Sequence, residues 1–319
     1  MKPCVLVTKT FPGPGLDILS EVCTVDLVDE GKLLTKEEML SRIKGKAALL
    51  CFLSDRIDRD VIDAGSDLKV IANFAVGYNN IDIEYARQKR IVVTNTPDVL
   101  TEATADIAWS LILTMTRNII PADRYTREGK FKGWTPFLFL GTSIQHKVLG
   151  IVGMGRIGQA VARRGKAFGM EIFYYDMHRL LAEIEQALEA QYIPFDGLLK
   201  CADILTLHLP LTEKSKKMIG EKELAAMKKG SFIVNTARGE IIDEKALVKF
   251  LKSEHLAGAG LDVYEKEPEV EDKLKGMDNV VILPHIGSAT REVRAKMGTM
   301  AVENICAVLQ GKRASNSIF

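Results

Sequence analysis

Short aliphatic and β-branched runs punctuate this chain at Cys4 to Thr8, Thr24 to Val28, Ala47 to Phe52, Lys69 to Phe74 and Ile91 to Thr94. Each predicts a buried strand. Between several of them lie helical patterns, such as Thr35 to Ile43 and Arg59 to Ala64, and strands alternating with helices predict crossover units and a parallel sheet. From Lys147 the alternation restarts, with strands expected at Val148 to Val152, Glu171 to Tyr175, Asp203 to Leu207, Ser231 to Val234, Ala257 to Leu261 and Val280 to Leu283. Helical patterns at Arg156 to Phe168 and Asp243 to Lys252 fill gaps, so a second, larger parallel sheet follows. Between the two sheets, Thr101 to Asn118 carries apolar residues at helical spacing, with Glu102 and Asp106 in its first turns. That suits a helix N-terminus, and the helix is expected to bridge the domains. The last helical stretch, Ala289 to Leu309, has no strand after it, and its pattern alone assigns it to neither domain.

Composition narrows the class. A chain of 319 residues favours two domains over one. Hydrophobic residues make up 47% and charged residues 27%, which excludes disorder and collagen-like or disulfide-dense scaffolds. Lys plus Arg number 43 against 42 Asp plus Glu, so there is no electrostatic footprint for nucleic acid. The apolar run from Ile107 to Met115 is closed off by Asp106 and Arg117, and no membrane association is expected. Cys4, Cys23, Cys51, Cys201 and Cys306 are scattered, with no C-x-x-C pair and no His at metal-ligand spacing. With no secretory leader pattern at Met1 to Thr8, the expectation is a reduced, cytoplasmic protein without metal, acting on a small molecule.

The chemistry starts at the second sheet. Val148 to Val152 runs directly into Gly153-Met154-Gly155-Arg156-Ile157-Gly158, and a helix pattern begins inside the motif. The first glycine permits a tight turn, the second lets the backbone approach a pyrophosphate, and the third allows helix and strand to touch. The helix N-terminus then presents unpaired N–H groups to the anion. Asp176 ends the following strand about 20 residues further on, where a carboxylate accepts the ribose hydroxyls and repels a 2′-phosphate. Both parts of the fingerprint are present, and they predict NAD in preference to NADP. His178 and Arg179 lie just beyond, and would soften that preference if they swung toward a phosphate.

A nicotinamide cofactor leaves the protein to orient substrate, stabilise charge on oxygen and move one proton. Arg238, in Val234-Asn235-Thr236-Ala237-Arg238-Gly239, brings a planar fork able to grip a carboxylate. His285, in Pro284-His285-Ile286-Gly287-Ser288, is of the residue type that exchanges protons near neutral pH. A carboxylate partner is available at Glu267 or Glu265, between which spacing does not choose. All three positions follow strands of one sheet, whose carboxyl edge is where open α/β sheets bind ligands. His208, in Leu207-His208-Leu209-Pro210, is expected to line the cofactor cleft through backbone groups rather than to move protons. His146 and His255 lack partners in the pattern and are expected at the surface.

With these segments in order, the chain resembles the D-isomer-specific 2-hydroxyacid dehydrogenases over essentially its full length. The glycine fingerprint, Asn235 to Gly239, Gly260-Leu261-Asp262-Val263-Tyr264 with its trailing Glu-Pro, and Pro284 to Ser288 carry the likeness. The resemblance implies an α/β, two-domain architecture, with a Rossmann-type doubly wound parallel sheet at 99–287 inserted into a flavodoxin-like substrate domain at 1–98 plus 288–319. It implies Arg238 on the substrate carboxylate and carbonyl, His285 as acid/base and Glu267 as its partner. Cofactor contacts then fall at Thr104, Gly153, Gly155, Arg156, Ile157, Gly158, Asp176, His208, Pro210, Thr236, Ala237, Arg238, Asp262 and His285. Ala75-Val76-Gly77-Tyr78 looks like the family loop whose amides hold the substrate carboxylate, which assigns Val76 and Gly77 to substrate alongside Arg238 and His285.

Among members, the glyoxylate and hydroxypyruvate reductases look nearest, through Ala75 to Asp82 and Gly133-Trp134-Thr135-Pro136. The implied reaction is reduction of a small 2-keto acid to the D-2-hydroxy acid by NADH, in a homodimer. D-lactate and phosphite dehydrogenases are alternatives in the same fold, the latter weakened because Val76 stands where those enzymes carry Lys. A nucleotide-sensing corepressor is the alternative from another class. Two departures are Asn79, where Asp is common, and His146, which replaces a usual Gly before the cofactor-domain strand.

Overall fold

In the computed structural model, which describes residues 2–29 and 31–319, five parallel strands form the first sheet. They are β1 (Cys4–Val7), β2 (Thr24–Leu27), β3 (Ala48–Cys51), β4 (Val70–Asn73) and β5 (Val92–Thr94), in the order β2-β1-β3-β4-β5. That is the flavodoxin-like order, with its reversal between β1 and β3. β3 and β4 are buried along their whole length, as both faces of a central parallel strand must be, whereas β2 at the edge mixes exposed and half-buried positions.

The helix Arg291–Leu309 belongs to this sheet. It packs on β3, β4 and the helix Gly15–Val22. Gly298 lets the helix approach Phe11, because a Cβ there would lie 2.3 Å from the Phe11 ring. Thr290 starts the helix by accepting the Val293 N–H at 3.1 Å.

The second sheet contains β6 (Val148–Val152), β7 (Glu171–Tyr175), β8 (Ala190–Tyr192), β9 (Ile204–Leu207), β10 (Ser231–Asn235), β11 (Leu256–Leu261) and β12 (Val280–Ile282). Its order is β12-β11-β10-β9-β6-β7-β8, all parallel. The first six of these strands follow the dinucleotide-binding order, with a seventh added at the edge, and the winding reverses between β6 and β9. Residues up to Leu100 together with Ser288–Phe319 form one compact unit, and Thr101–Gly287 the other.

The expected strands are all present to within two residues, and β8 is an addition. The helix expected over Thr101 to Asn118 ends at Thr116 and is assigned wholly to the second unit. It packs on β11 and on the helix Arg156–Ala167, where Trp109 Nε1 donates to the Val161 carbonyl at 3.1 Å. Glu102 and Asp106 do more than complement its N-terminus. Glu102 pairs with Arg163 and Arg164 at 2.6 and 2.8 Å, and Asp106 with Arg164 at 2.6 Å.

His255 corrects the expectation of an unpartnered surface residue. Its Nε2 is 3.0 Å from the Met227 carbonyl, and its ring meets Phe250 edge-on. His146 is exposed as expected, in a left-handed backbone conformation at φ 59°.

Candidate active site

Every candidate in the second unit that follows a strand lies in the first residues past its end. Gly153 follows β6, Asp176 β7, His208 β9, Thr236 β10, Asp262 β11 and His285 β12. Because the sheet is parallel throughout, these ends share one edge.

The glycine loop fits the three tasks expected of it. Gly153 has φ 93°, and a Cβ there would lie 2.5 Å from the His208 carbonyl oxygen. A Cβ at Gly158 would lie 2.1 Å from the Gly153 carbonyl oxygen, so the helix meets the strand end directly. At Gly155 a Cβ would meet nothing within 4 Å. Gly155 precedes the helix Arg156–Ala167 in extended conformation without a side-chain cap. A turn of this shape at a helix N-terminus would fit an anion such as a pyrophosphate. Arg156 is exposed and Ile157 half-buried on the same first turn.

Asp176 is tied to the glycine loop itself. Its carboxylate accepts the Met154 N–H at 2.7 Å and the His178 N–H at 3.0 Å. Those bonds fix the orientation of the side chain. Arg179 is turned elsewhere, with Nε and Nη2 donating to Glu185 at 3.0 and 2.9 Å.

His208 is half-buried, with Nε2 2.8 Å from Thr206 Oγ1 and Nδ1 3.4 Å from Thr236 Oγ1. Desolvation lowers its pKa to about 3, so the ring is neutral and packs rather than titrates near pH 7. Pro210 is exposed, and its carbonyl accepts the Ser215 hydroxyl at 2.7 Å.

Three loops, those after β10, β11 and β12, come together at the far part of this edge. Asn235 brackets its own turn, accepting the Ala237 N–H at 3.0 Å and donating to the Arg238 carbonyl at 2.8 Å. Arg238 then turns Nη1 back to the Ala237 carbonyl at 2.6 Å. Burial works against its charge, while Glu267 and Glu240 counter that penalty. Gly239 lets this loop touch the next, since a Cβ there would lie 1.8 Å from the Tyr264 carbonyl carbon. The Tyr264 hydroxyl, in turn, donates to the Leu283 carbonyl at 2.7 Å, two residues before His285.

The choice between the two carboxylates is plain. Glu267 Oε2 lies 2.8 Å from His285 Nδ1, and Glu267 Oε1 accepts the Tyr264 N–H at 3.2 Å. Glu265 instead pairs with Lys217 at 3.0 Å. Burial opposes ionisation of Glu267, but His285, the Tyr264 amide and Arg238 outweigh it and hold the carboxyl below its ordinary range. An ionised Glu267 can only accept, so Nδ1 carries the proton and Nε2 is left for chemistry.

Asp262 fixes the backbone around His285. Its carboxylate accepts the Ile286 N–H at 2.7 Å and the Gly287 N–H at 2.8 Å, and Thr104 Oγ1 donates to the Gly287 carbonyl at 3.2 Å. Burial pushes the Asp262 carboxyl up, and those two amides pull it back only in part. His285 itself is held at φ 53°, an uncommon conformation for a side chain this bulky, within this set of bonds.

Val76 and Gly77 belong to the first unit. Their carbonyls are taken by Asn95 Nδ2 at 2.8 Å and Asn73 Nδ2 at 2.9 Å. Among the described residues neither of their N–H groups has a protein acceptor, so both amides are available to an anion.

Sequence reasoning did not single out Asn73, Asn95, Gly239 or Tyr264 as parts of the frame. Gly239 was visible as a glycine beside Arg238, but only the approach of the Tyr264 backbone shows why it must be one.

Residues 109–287 match the family described as D-isomer specific 2-hydroxyacid dehydrogenase, NAD binding domain. The whole chain is similar to a glyoxylate reductase of Thermococcus gammatolerans, 46% identical over 316 residues that cover 98% of this chain and 94% of the relative. A crystal structure of a Thermus thermophilus protein superposes with a TM-score of 0.93 at 44% identity, covering 99% of this chain and 100% of that one. Another is an NADPH-dependent glyoxylate/hydroxypyruvate reductase from Sinorhizobium meliloti in complex with NADP and malonate. Its TM-score is 0.88 at 32% identity, covering 100% and 97% of the two chains.

Proposed function

The chain belongs to the D-isomer-specific 2-hydroxyacid dehydrogenases, a family of oxidoreductases that use a nicotinamide cofactor, and from that membership we propose that it reduces glyoxylate or hydroxypyruvate to the D-2-hydroxy acid with NADH. The observation that carries the reading is the Glu267–His285 contact of 2.8 Å, with the half-buried Arg238 close enough for its charge to act on Glu267.

A nicotinamide cofactor, when bound, would supply the hydride that reduces the carbonyl carbon. Gly155 and the start of the helix Arg156–Ala167 would hold its pyrophosphate, Asp176 its ribose hydroxyls, and Asp262 its carboxamide end. The neutral ring of His208 and the Thr236 hydroxyl line the same edge. Arg238 pairs with the substrate carboxylate and polarises the neighbouring carbonyl. His285 donates a proton from Nε2 as charge grows on the carbonyl oxygen, while Glu267 holds the ring by its Nδ1.

NADH is proposed over NADPH because Asp176 presents a carboxylate to the ribose while Arg179 is engaged with Glu185. A homodimer is proposed from the apolar surface around the Trp-Pro loop, where Trp134 and Phe137 are each 81% exposed and Leu140 65%. The cytoplasm is proposed on the five free cysteines. No helix among the described residues is long and apolar enough to cross a membrane.

The deciding experiment measures kcat/KM for glyoxylate, hydroxypyruvate, pyruvate and bulkier 2-keto acids with NADH and NADPH. Glyoxylate or hydroxypyruvate with NADH is expected to lead; a bulky keto acid leading, or NADPH leading, overturns the corresponding half of the proposal. Light scattering in solution checks the dimer.

A further inference from the structure

Arg179 is the cation nearest in sequence to Asp176 apart from His178, and its position is set by three contacts. Its guanidinium makes a two-point contact with Glu185, at 3.0 and 2.9 Å, and lies 5.8 Å from the centre of the Tyr192 ring. Glu185, on the helix Ala182–Leu188, is itself fixed because the buried Tyr174 hydroxyl donates to it at 2.6 Å. The same hydroxyl accepts the Leu180 N–H at 2.9 Å, so the turn carrying Arg179 is anchored at its far end too. Only 11% of the Glu185 side chain is exposed, against 65% for Arg179. The carboxylate is therefore the fixed half of the pair and the guanidinium the half that adapts to it.

Direction matters here. β7 lies between β6 and β8 in the sheet. The glycine loop and the Asp176–Met154 contact are on the β6 side, whereas Tyr192 ends β8. Glu185 and Tyr192 thus draw Arg179 toward the β8 side, away from the ribose-binding carboxylate. A 2′-phosphate, with three acceptor oxygens and close to two charges, is the ligand that would otherwise capture a guanidinium three residues past Asp176.

We infer that Glu185 is a specificity-determining positioning residue: it sequesters Arg179 in a side-on pair over β8 and so withholds the neighbouring guanidinium that a cofactor 2′-phosphate would need. The inference rests on the proposed NADH preference, which it deepens by dividing the selection between two carboxylates. Asp176 acts at the ribose, and Glu185 acts at a distance by occupying the competing cation.

The test is titration calorimetry with NADH and, separately, NADPH on the full-length wild type, Glu185→Gln, Arg179→Gln and the double variant. Gln keeps an oxygen for the Tyr174 hydroxyl but gives up the charge and the two-point grip. Glu185→Gln should tighten NADPH binding by about five- to tenfold and leave NADH within about twofold, the scale of a partly exposed charge pair. Adding Arg179→Gln should abolish the gain. Arg179→Gln alone should leave NADPH binding within about twofold of wild type, because the side chain is already committed elsewhere. The inference is overturned if Glu185→Gln leaves NADPH affinity unchanged, if the gain survives in the double variant, or if Arg179→Gln alone weakens NADPH binding several-fold. The last outcome needs no substitution at Glu185 and decides the matter even if that variant does not fold. A wild type that binds NADPH more tightly than NADH overturns the parent reading instead, while the variant shifts, read within one cofactor, still score Glu185.

Discussion

Gly239 and Tyr264 meet backbone to backbone, so closely that a Cβ on the glycine would fall 1.8 Å from the tyrosine's carbonyl carbon. The contact joins the loop bearing Arg238 to the loop bearing Glu267. Gly239→Ala must push these loops apart, since the obstructing atoms are main chain and cannot rotate away. The expected result is a loss of stability of about 1–3 kcal/mol, in the range of overpacked interiors, together with at least a roughly tenfold fall in kcat/KM. Chemical denaturation and steady-state kinetics check it; a variant with both values near wild type would remove Gly239 from the frame.

Glu267→Gln keeps the shape of the partner and removes its charge. Turnover should fall by about 10²–10⁴ while NADH still binds, because the His285 ring loses the carboxylate that fixes its Nδ1 proton and its orientation. The carboxyl is held below its ordinary range in the folded chain, so its stabilising contribution is complete above the unfolded pKa of 4.5 and is lost as pH falls through the lower folded value. The Tm difference between wild type and Glu267→Gln should therefore shrink as the pH is taken below 4.5. A difference that stays constant through acid argues against an ionised partner.

His208 gives a pH signature at a higher window. Its folded pKa of about 3 lies below the ordinary 6.5, so between those values the unfolded chain binds a proton that the folded chain refuses. Stability is then present above pH 6.5 and declines on acidification, by up to about 1.4 kcal/mol per pH unit. His208→Gln should flatten the Tm profile between about pH 6.5 and 4. Parallel profiles for the two proteins would show that the ring takes up its proton without unfolding.

Asp262→Ala is expected to be costlier than an average surface change. It removes the acceptor for two amides at 2.7 and 2.8 Å, and Asp262 is 1% exposed. Orphaned buried N–H groups cost about 1–3 kcal/mol each, and the backbone at His285 loses its restraint. Both thermal stability and kcat should drop; loss of neither would mean the 286–287 turn is held by other bonds.

The central strands and the glycine fingerprint were legible because their signals are local. β6 is buried at four of five positions, and the turn after it needs glycine at Gly153 and Gly158 for reasons a spacing rule encodes. β8 was not legible, being three residues long with one buried side chain. Short helices such as Ile83–Gln88 and Glu221–Ala226 carry too few turns to show a period. At the site, Arg238 and His285 could be picked from position and chemistry. The preference for Glu267 over Glu265 came from resemblance alone, because two carboxylates two positions apart on an irregular loop point wherever Lys217 and His285 happen to lie.

His146 illustrates a departure with a measurable cost. At φ 59° and exposed, it occupies a conformation that suits glycine, and its N–H bond to the Gly169 carbonyl at 2.8 Å survives substitution. His146→Gly should be neutral to stabilising by up to about 1 kcal/mol, the relief of the left-handed backbone set against glycine's greater freedom when unfolded. A clear loss of stability would reveal a contact made by the imidazole.

The first sheet's covering helix, Arg291–Leu309, arrives only after the whole of the second unit has been made. A nascent chain emerging from the ribosome can pair β1 to β5 early, yet the face that Met297, Ala301 and Ile305 will cover stays bare until synthesis is nearly over. The middle of the polypeptide is thereby expected to complete before the beginning, which has to wait for the end, against the usual N-terminal-first order of synthesis. A ribosome stalled once Gly287 has cleared the exit tunnel should display a protease-resistant middle and a protease-sensitive segment up to Leu100.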